Sequence, residues 1–225
     1  MMPKEIQKDN QRQTEIRQRI VECAHLAFRQ RGIKEVTMDD VSRTLRISKR
    51  TLYLFFADKE ELVMACVLYD DRKERDFVEN LERQQDNILD LIFLHMEHQL
   101  HELKDCNPKY FSDAYLYPRV REYMEQRSLQ HVEEVLTRLY KGVEQGLFMP
   151  HIDFRLIVQA MIQQIQRVLL HEPHRNFSLE HCFLNIVLIV IRGCATAQGI
   201  ARVDDFRQRY IEKRQLKTFL APNHD

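Results

Sequence analysis

Apolar side chains recur every three or four residues along most of the chain, which is the spacing of one face of an α-helix. The first such stripe predicts a helix over residues 14–31, followed by Gly32 where glycine commonly ends a helix. A second stripe predicts a longer helix from Asp58 to about Leu81. Strand-type alternation of useful length does not occur, so the pattern predicts an all-α fold. The remaining predicted helices span residues 85–105, 112–126, 128–146, 153–171, 178–200 and 203–219.

Residues 37–62 carry the most specific pattern, two short helices separated by a tight turn. Thr37 is suited to cap the first helix, and Asp40 stands where a capping-box side chain returns to the backbone. This helix is expected to end near Leu45, and Ser48 is suited to cap the second. The segment therefore predicts a helix-turn-helix.

The second helix of this pair has the chemistry of a DNA recognition helix. Lys49 and Arg50 stand in its first turn, where side chains reach base edges and the positive helix end favours phosphate. Arginine can contact guanine O6 and N7 with two hydrogen bonds. An ordinary surface turn with solvated charges is the alternative for such a helix pair taken alone. We expect DNA contacts from Thr37, Arg46, Ser48, Lys49, Arg50, Thr51, Tyr53 and Lys59.

The full set of residues in this segment resembles the signature of the tetracycline-repressor (TetR) family of bacterial transcription regulators. Three positions depart from the family pattern: Ser42 replaces the usual alanine, Arg46 the usual glycine of the turn, and Phe55 a histidine or tyrosine that often contacts phosphate. Arg46 is expected to bear a left-handed backbone cost of about 1 kcal/mol, or the turn to differ slightly. The matching residues are Thr37, Val41, Ile47, Ser48, Thr51, Leu52, Tyr53, Phe56, Lys59, Glu60, Glu61 and Leu62.

The resemblance implies an N-terminal three-helix DNA-binding domain with the helix-turn-helix, followed by a larger C-terminal helical bundle for ligand binding and dimerisation. We place these domains at residues 13–60 and 61–225, after a polar, flexible arm over residues 1–12. The resemblance also implies a ligand-responsive transcription regulator, usually a repressor, which a small-molecule effector releases from DNA. The chain has no Gly-rich phosphate loop, G-x-S-x-G elbow or H-E-x-x-H motif, so we expect no enzyme activity and no cofactor.

The last predicted helices carry more apolar surface than one small bundle readily hides, although buried core within one chain is the alternative. Two such helices are similar to the family's dimer interface, a four-helix bundle made by two subunits. In a homodimer, two recognition helices about 34–36 Å apart would address a palindromic operator with half-sites one turn apart. The expected interface residues are Ile157, Met161, Ile165, Phe183, Val187, Val190 and Ile191.

Aromatic residues near the middle of the chain predict a small-molecule effector site, because aromatic walls with hydroxyl tips suit flat or amphipathic ligands. Ordinary core packing of the same side chains is the alternative. The resemblance implies that a bound effector would move the helix over residues 58–81 and change the spacing of the recognition helices. The candidate lining residues are Phe93, Met96, Phe111, Tyr115, Tyr117 and Tyr123.

The sequence leaves two rival hypotheses open. His95, His98 and His101 lie near Glu97 and Glu102, and pairs four residues apart would offer two ligands to a divalent metal. Two ligands do not complete a site, so we expect no bound metal, but a helical metal-dependent hydrolase stays open. The second rival is a nucleoid-binding or division-associated protein that uses DNA as a platform, with many dispersed genomic sites.

Composition agrees with a helical regulator, since 44% of residues are hydrophobic, 30% are charged and only five are glycine. The formal net charge is zero, but residues 12–60 hold 11 Lys and Arg against 7 Asp and Glu, a local basic excess. The five cysteines form no C-x-x-C pair, and Cys106 is considered as a redox sensor against a spectator thiol. With no apolar leader or membrane-length apolar run, the expected location is the cytoplasm, without a membrane partner.

Overall fold

A computed structural model describes residues 4–171 and 179–213 of the 225-residue chain. The all-α prediction is confirmed, because the regular elements in these ranges are helices apart from one isolated antiparallel bridge between Phe148 and Ala195. None of these helices is long and apolar enough to cross a membrane. They are α1 (Lys4–Arg31), α2 (Met38–Leu45), α3 (Lys49–Phe55), α4 (Lys59–Gln84), α5 (Ile88–Lys104), α6 (Lys109–Ala114), α7 (Pro118–Glu144), α8 (Phe154–His171), α9 (Leu179–Cys182), a π-helical segment (Phe183–Val187), α10 (Leu188–Cys194) and α11 (Ala197–Lys213).

The first helix is longer than predicted. It begins at Lys4 and not at residue 14, while residues 1–3 lie outside the described ranges. The segment before residue 14 extends the helix because it contains no Gly or Pro and is rich in Lys, Gln and Glu, which have high helix propensity. The other end agrees with the prediction, since Gly32 follows with a positive φ of 91°.

Helix α7 is continuous where two helices were predicted, over residues 112–126 and 128–146. The predicted break at residue 127 is wrong because Arg127 and its neighbours include no residue that stops a helix. The true boundary lies at Pro118, the first residue of α7, where the missing N–H of proline removes no intrahelical hydrogen bond.

The break in the C-terminal helices also lies earlier than the predicted boundary between residues 200 and 203. Ala195 is extended, and Thr196 Oγ1 accepts a hydrogen bond from Gly199 N at 3.3 Å, so α11 begins at Ala197. A side-chain oxygen at this position satisfies an N–H that would otherwise lack a partner at the helix start. The predicted end at residue 219 falls outside the described residues.

The chain divides into two compact units. Of the described residues, the first contains 4–77, 105–127 and 169–171, and the second contains 78–104, 128–168 and 179–213. The first unit thus includes the predicted DNA-binding domain over residues 13–60, together with much of α4, all of α6 and the start of α7. Segments far along the chain therefore help to support the N-terminal helices.

The core of the first unit joins the inward faces of α1 to α4 with side chains of α6 and α7. Full burial of an aliphatic or aromatic side chain stabilises a fold by about 1.5–3 kcal/mol, so this core is what holds the short helices α2 and α3 in place. Its most deeply buried members include Ile20, Ala24, Phe28, Ile33, Val36, Val41, Leu52, Phe56, Leu62, Cys66, Tyr110, Ala114 and Val120.

Asp70 of α4 is a polar anchor within the first unit. Its Oδ1 lies 2.6 Å from His25 Nε2 and 3.6 Å from an Arg29 guanidinium nitrogen, both on α1. Its Oδ2 accepts a hydrogen bond from the Tyr110 hydroxyl of α6 at 2.8 Å. One carboxylate thus ties three helices together, which satisfies polar groups that would be costly to bury alone.

The second unit is built around an aromatic cluster. The rings of Phe93 and Phe206 are stacked with centroids 4.0 Å apart, and Phe183 and Tyr210 complete the cluster with mainly edge-to-face contacts. The Tyr210 hydroxyl donates to Glu180 Oε1 at 2.8 Å. Such ring pairs stabilise a core beyond the area that they bury.

Candidate nucleic-acid interface

Thr37 caps α2 as predicted. Its Oγ1 accepts a hydrogen bond from Asp40 N at 3.1 Å, and Asp40 Oδ2 accepts one from Thr37 N at 2.9 Å, which closes the capping box. The hydrogen bonds that the Asp40 carboxylate accepts, first from the Thr37 backbone and then from the Thr37 hydroxyl, hold the pKa of Asp40 below its ordinary value. The Thr37 hydroxyl also donates to Asp40 Oδ2 at 2.7 Å, so its predicted DNA contact would compete with the cap.

Arg46 forms the turn between α2 and α3 in a left-handed conformation, with φ 55° and ψ 38°. Its N–H donates to Arg43 O at 3.1 Å, and Ile47 N donates to Ser42 O at 3.0 Å, as in common glycine-ended helix termini. The backbone therefore takes the geometry of a glycine-ended helix terminus although Arg46 is not a glycine. Arg46 bears the expected conformational cost, and its side chain is exposed.

Ser48 caps α3 as predicted and directs the rest of the helix. Its Oγ accepts a hydrogen bond from Thr51 N at 3.0 Å and lies 2.7 Å from Thr51 Oγ1. Leu52 and Phe56 are fully buried, and this turns the opposite face of α3 to solvent. The side chains of Lys49, Arg50, Tyr53 and Leu54 are exposed on α3.

Lys49 forms an ion pair that the sequence did not predict. Its Nζ lies 2.5 Å from Asp39 Oδ2, at the second position of α2. The two residues are ten positions apart, and no spacing rule within a single helix connects them. The contact depends on the angle between α2 and α3, so a sequence pattern carries no signal for it.

Lys59 is the first residue of α4 and is half-buried. Burial lowers the pKa of its ammonium group, although Asp113, Asp40 and Glu35 act in the opposite direction. The preceding Asp58 caps α4, because its Oδ1 accepts a hydrogen bond from Glu61 N at 2.8 Å. The Asp58 cap therefore fixes the backbone at Lys59, four residues after the end of α3, while the phosphate contact of Lys59 stays a prediction.

Residues 20–66 match the family model for bacterial regulatory proteins of the TetR family. An uncharacterized HTH-type transcriptional regulator of Bacillus subtilis (strain 168), YfiR, is 27% identical over 137 residues, which cover 58% of this chain and 67% of YfiR. Residues 20–66 therefore have the DNA-binding domain of the TetR family. The residues that carried the resemblance lie on the capped helices just described, and the chain is a DNA-binding transcription regulator of the TetR type.

Solved structures have the same fold. CprB, a TetR family protein of S. coelicolor A3(2), is 22% identical with a TM-score of 0.65 and covers 90% of this chain and 99% of its own. A gamma-butyrolactone receptor described as ArpA-like is 19% identical with a TM-score of 0.63, covering 90% of this chain and 99% of that chain. At these sequence identities, the likeness shows that the chains share a fold and does not extend to their ligands.

The predicted effector residues fall into both units. Phe111, Tyr115, Tyr117 and Tyr123 belong to the first unit, where Phe111 and Tyr117 pack against the core and the Tyr123 hydroxyl donates to Asp71 Oδ2 at 2.7 Å. Phe93 and Met96 belong to the second unit. Phe93 is buried in the aromatic cluster against Phe206, so its ring has a packing role there.

The predicted interface residues divide by burial. Phe183, Val187 and Ile191 are buried in the core of their own chain, so their part in a dimer interface stays a prediction. The segment is apolar nearly all round, and periodicity alone did not separate its inward face from its outward face. Ile157, Met161, Ile165 and Val190 are partly buried. The outward apolar side chains are Leu156, Ile186 and Ile189, which are 65%, 39% and 58% exposed.

The rival metal site receives no support from the described ranges. Within residues 4–171 and 179–213, no group of three or more His, Cys, Asp or Glu side chains is arranged to hold a metal ion. His95 and His98 are partly buried on α5 and His101 is exposed.

Cys106 has the features of a protected thiol. It is partly buried, and burial raises its pKa to about 11. Its Sγ lies 3.7 Å from Asn107 O. A thiol with so high a pKa holds little thiolate at neutral pH, which argues against a redox role.

Proposed function

We propose that this TetR-family regulator acts as a homodimer that binds a palindromic operator through α3, represses transcription there, and is released by a small-molecule effector. The observation that carries the proposal is the exposed, basic first turn of a well-anchored helix. Lys49 and Arg50 follow the Ser48 cap directly, while Leu52 and Phe56 fix the opposite face in the core. Side chains in the first turns of such a helix reach the base edges of the major groove.

A second copy of the chain supplies the partner that one helix-turn-helix needs. A single motif makes few phosphate and base contacts, whereas two motifs related by two-fold symmetry address both half-sites of a palindrome. The exposed Leu156, Ile186 and Ile189 of the second unit supply apolar surface for such an interface. The proposed interface therefore lies on these outward side chains, with Ile157, Met161, Ile165 and Val190 at its margin.

Release by an effector is supported by the fold shared with a protein named as a gamma-butyrolactone receptor. A ligand that prefers the geometry unable to bind DNA lowers operator affinity by its preference ratio for the two geometries, and by no more. Which residues line the effector site stays a prediction. The repressor role and the effector's chemistry are tested separately from DNA binding, by transcription from the bound promoter with and without candidate ligands.

The experiment that tests the proposal measures binding of the purified protein to its own upstream intergenic DNA at two salt concentrations. Wild type is compared with Lys49→Ala/Arg50→Ala. The matched control is Arg121→Ala/Lys141→Ala, which removes the same charge from exposed positions of α7. We expect tight, salt-sensitive binding by wild type and by the control, and its loss in the double variant, because each phosphate contact steepens the salt dependence by about 0.9 in log–log slope.

Two results would contradict the proposal. Equal affinity of wild type for the intergenic fragment and for unrelated DNA would favour the platform hypothesis, in which DNA is bound without reading a promoter. Equal binding by wild type and by Lys49→Ala/Arg50→Ala would remove α3 from the interface.

A further inference from the structure

An acidic side chain lies at the base-reading end of the recognition helix. Asp39 Oδ2 is 2.5 Å from Nζ of Lys49, and the two side chains are 45% and 64% exposed. An ion pair this open to solvent adds little to stability, because water and salt screen it. What Asp39 gives the fold is therefore chiefly the modest stabilisation of a carboxylate in the first turn of α2.

A carboxylate in a DNA interface opposes binding unless it finds a hydrogen-bond donor. It repels phosphate, and it offsets the charge of the lysine beside it, so it weakens the sequence-independent part of the affinity. The donors that DNA presents in the major groove are the amino groups of cytosine and adenine. In a complex with DNA, Asp39 thus adds to the binding affinity only if it meets one of these amino groups.

The lysine beside Asp39 favours cytosine over adenine as the base whose amino group Asp39 meets. A G·C pair presents guanine O6 and N7 as acceptors and cytosine N4 as a donor on the same edge. An ammonium donor and a carboxylate acceptor held side by side match that pattern. An A·T pair also presents an acceptor beside a donor, at adenine N7 and N6, but the usual base partner of lysine is guanine and that of aspartate is cytosine.

We propose that Asp39 and Lys49 together read one G·C base pair in each operator half-site. Lys49 donates to guanine O6 or N7, and Asp39 accepts from the cytosine N4 amino group. This inference rests on the proposed function, operator binding through α3. It adds to the DNA-contact set a residue on α2, whose position is fixed by the Thr37 cap.

The test selects bound sequences from a duplex library with a randomised central segment. Wild type is compared with Asp39→Asn, Lys49→Ala and the variant carrying both changes. Asp205→Asn is the matched control, because it removes one carboxylate from another exposed ion pair, with Arg209 at 2.8 Å, on α11. Circular dichroism and thermal unfolding of each variant establish that it is folded.

We expect wild type and Asp205→Asn to select the same motif, with a G·C pair at one position of each half-site. Asp39→Asn and Lys49→Ala should each relax that position by about tenfold or more and leave the other positions intact. The combined change should relax it no further than the larger single effect, because the two residues act as one unit. Affinity of Asp39→Asn for unrelated duplex DNA should rise.

The inference is overturned if Asp39→Asn keeps every base preference, if the two single variants act at different positions, or if Asp205→Asn relaxes the same position. A rise in affinity of Asp39→Asn for all sequences alike would mean that Asp39 only repels phosphate. Failure of wild type to enrich any motif would instead contradict the proposed function itself, so the two failures are distinguishable.

Discussion

Arg46 determines how the two helices of the DNA-binding motif meet. It holds a left-handed backbone conformation, with φ 55°, at the end of α2. In this region the Cβ of an L-residue crowds the following carbonyl oxygen, at a cost of roughly 1–2 kcal/mol. The core keeps this conformation in place, because Val41 before the turn and Leu52 after it are both buried.

Replacing Arg46 with glycine should stabilise the protein. We expect Arg46→Gly to raise the free energy of unfolding by up to about 1 kcal/mol, because glycine adopts positive φ without the Cβ contact. Urea unfolding measures the change, and Arg46→Lys, which keeps both the Cβ and the charge, should match wild type. A loss of stability in Arg46→Gly would show that the arginine side chain contributes more than its backbone costs. If Arg46 also contacts phosphate, Arg46→Gly should bind DNA more weakly than wild type, whereas Arg46→Lys, which keeps the charge, should not.

At the scale of the elements, neighbouring carboxylates on α4 connect different partners. Asp70 binds side chains of α1 and α6, whereas Asp71 binds α7. Arg127 Nε donates to Asp71 Oδ1 at 2.6 Å, and the Tyr123 hydroxyl donates to Oδ2 at 2.7 Å. Burial raises the pKa of Asp71, but these hydrogen bonds and the charges of Arg127 and Arg75 outweigh it, so its pKa lies below the ordinary value of 3.8.

Removing the charge of Asp71 should therefore have a pH-dependent effect. Because the pKa is lower in the folded state, the ionised carboxylate stabilises the fold above pH 3.8, and this contribution is lost as pH falls through the folded pKa. Asp71→Asn should lower the free energy of unfolding by about 2 kcal/mol near neutral pH, as expected for lost hydrogen bonds to a charged group. Urea unfolding at a series of pH values should show the difference shrinking in acid.

The matched comparison for Asp71→Asn is Tyr123→Phe. It removes one hydrogen bond and leaves the carboxylate paired with Arg127, so its effect should be near 1 kcal/mol. A difference between wild type and Asp71→Asn that stays constant through the acidic range would contradict the assigned role of the charge.

For the whole molecule, Ile189 and Ile191 of α10 allow the proposed dimer interface to be tested separately from folding. Ile189 is exposed, whereas Ile191 is buried in the core of its own chain. We expect Ile189→Glu to leave a folded monomer with weakened operator binding, since a charge in a dimer interface is costly to desolvate. Sedimentation and circular dichroism measure the two properties.

Ile191→Ala provides the contrast. It should lower the free energy of unfolding by about 2–5 kcal/mol, because it leaves a cavity in the core. A dimeric Ile189→Glu variant with undiminished operator binding would place the interface elsewhere on the chain.

The sequence by itself determined the helix-turn-helix almost residue by residue. The cap of Thr37 with Asp40 and that of Ser48 with Thr51 join residues three positions apart, and the hydrophobic spacing that buries Leu52 and Phe56 is equally local. Interactions of this range are written in a short stretch of chain, so family and fold class followed from about 26 residues. The continuous course of α7 was also readable in principle, because the sequence around Arg127 contains no residue that stops a helix.

Only the tertiary structure decided which residues meet across elements. The pairs of Asp39 with Lys49 and of Asp71 with Arg127 join residues on different helices, and their contact depends on the angle at which those helices pack. The same holds for the apolar segment before Cys194, where Ile191 faces the core and Ile189 faces out. A helix that is apolar all round has no face that its own sequence marks as inner, so the packing of the rest of the chain makes that choice.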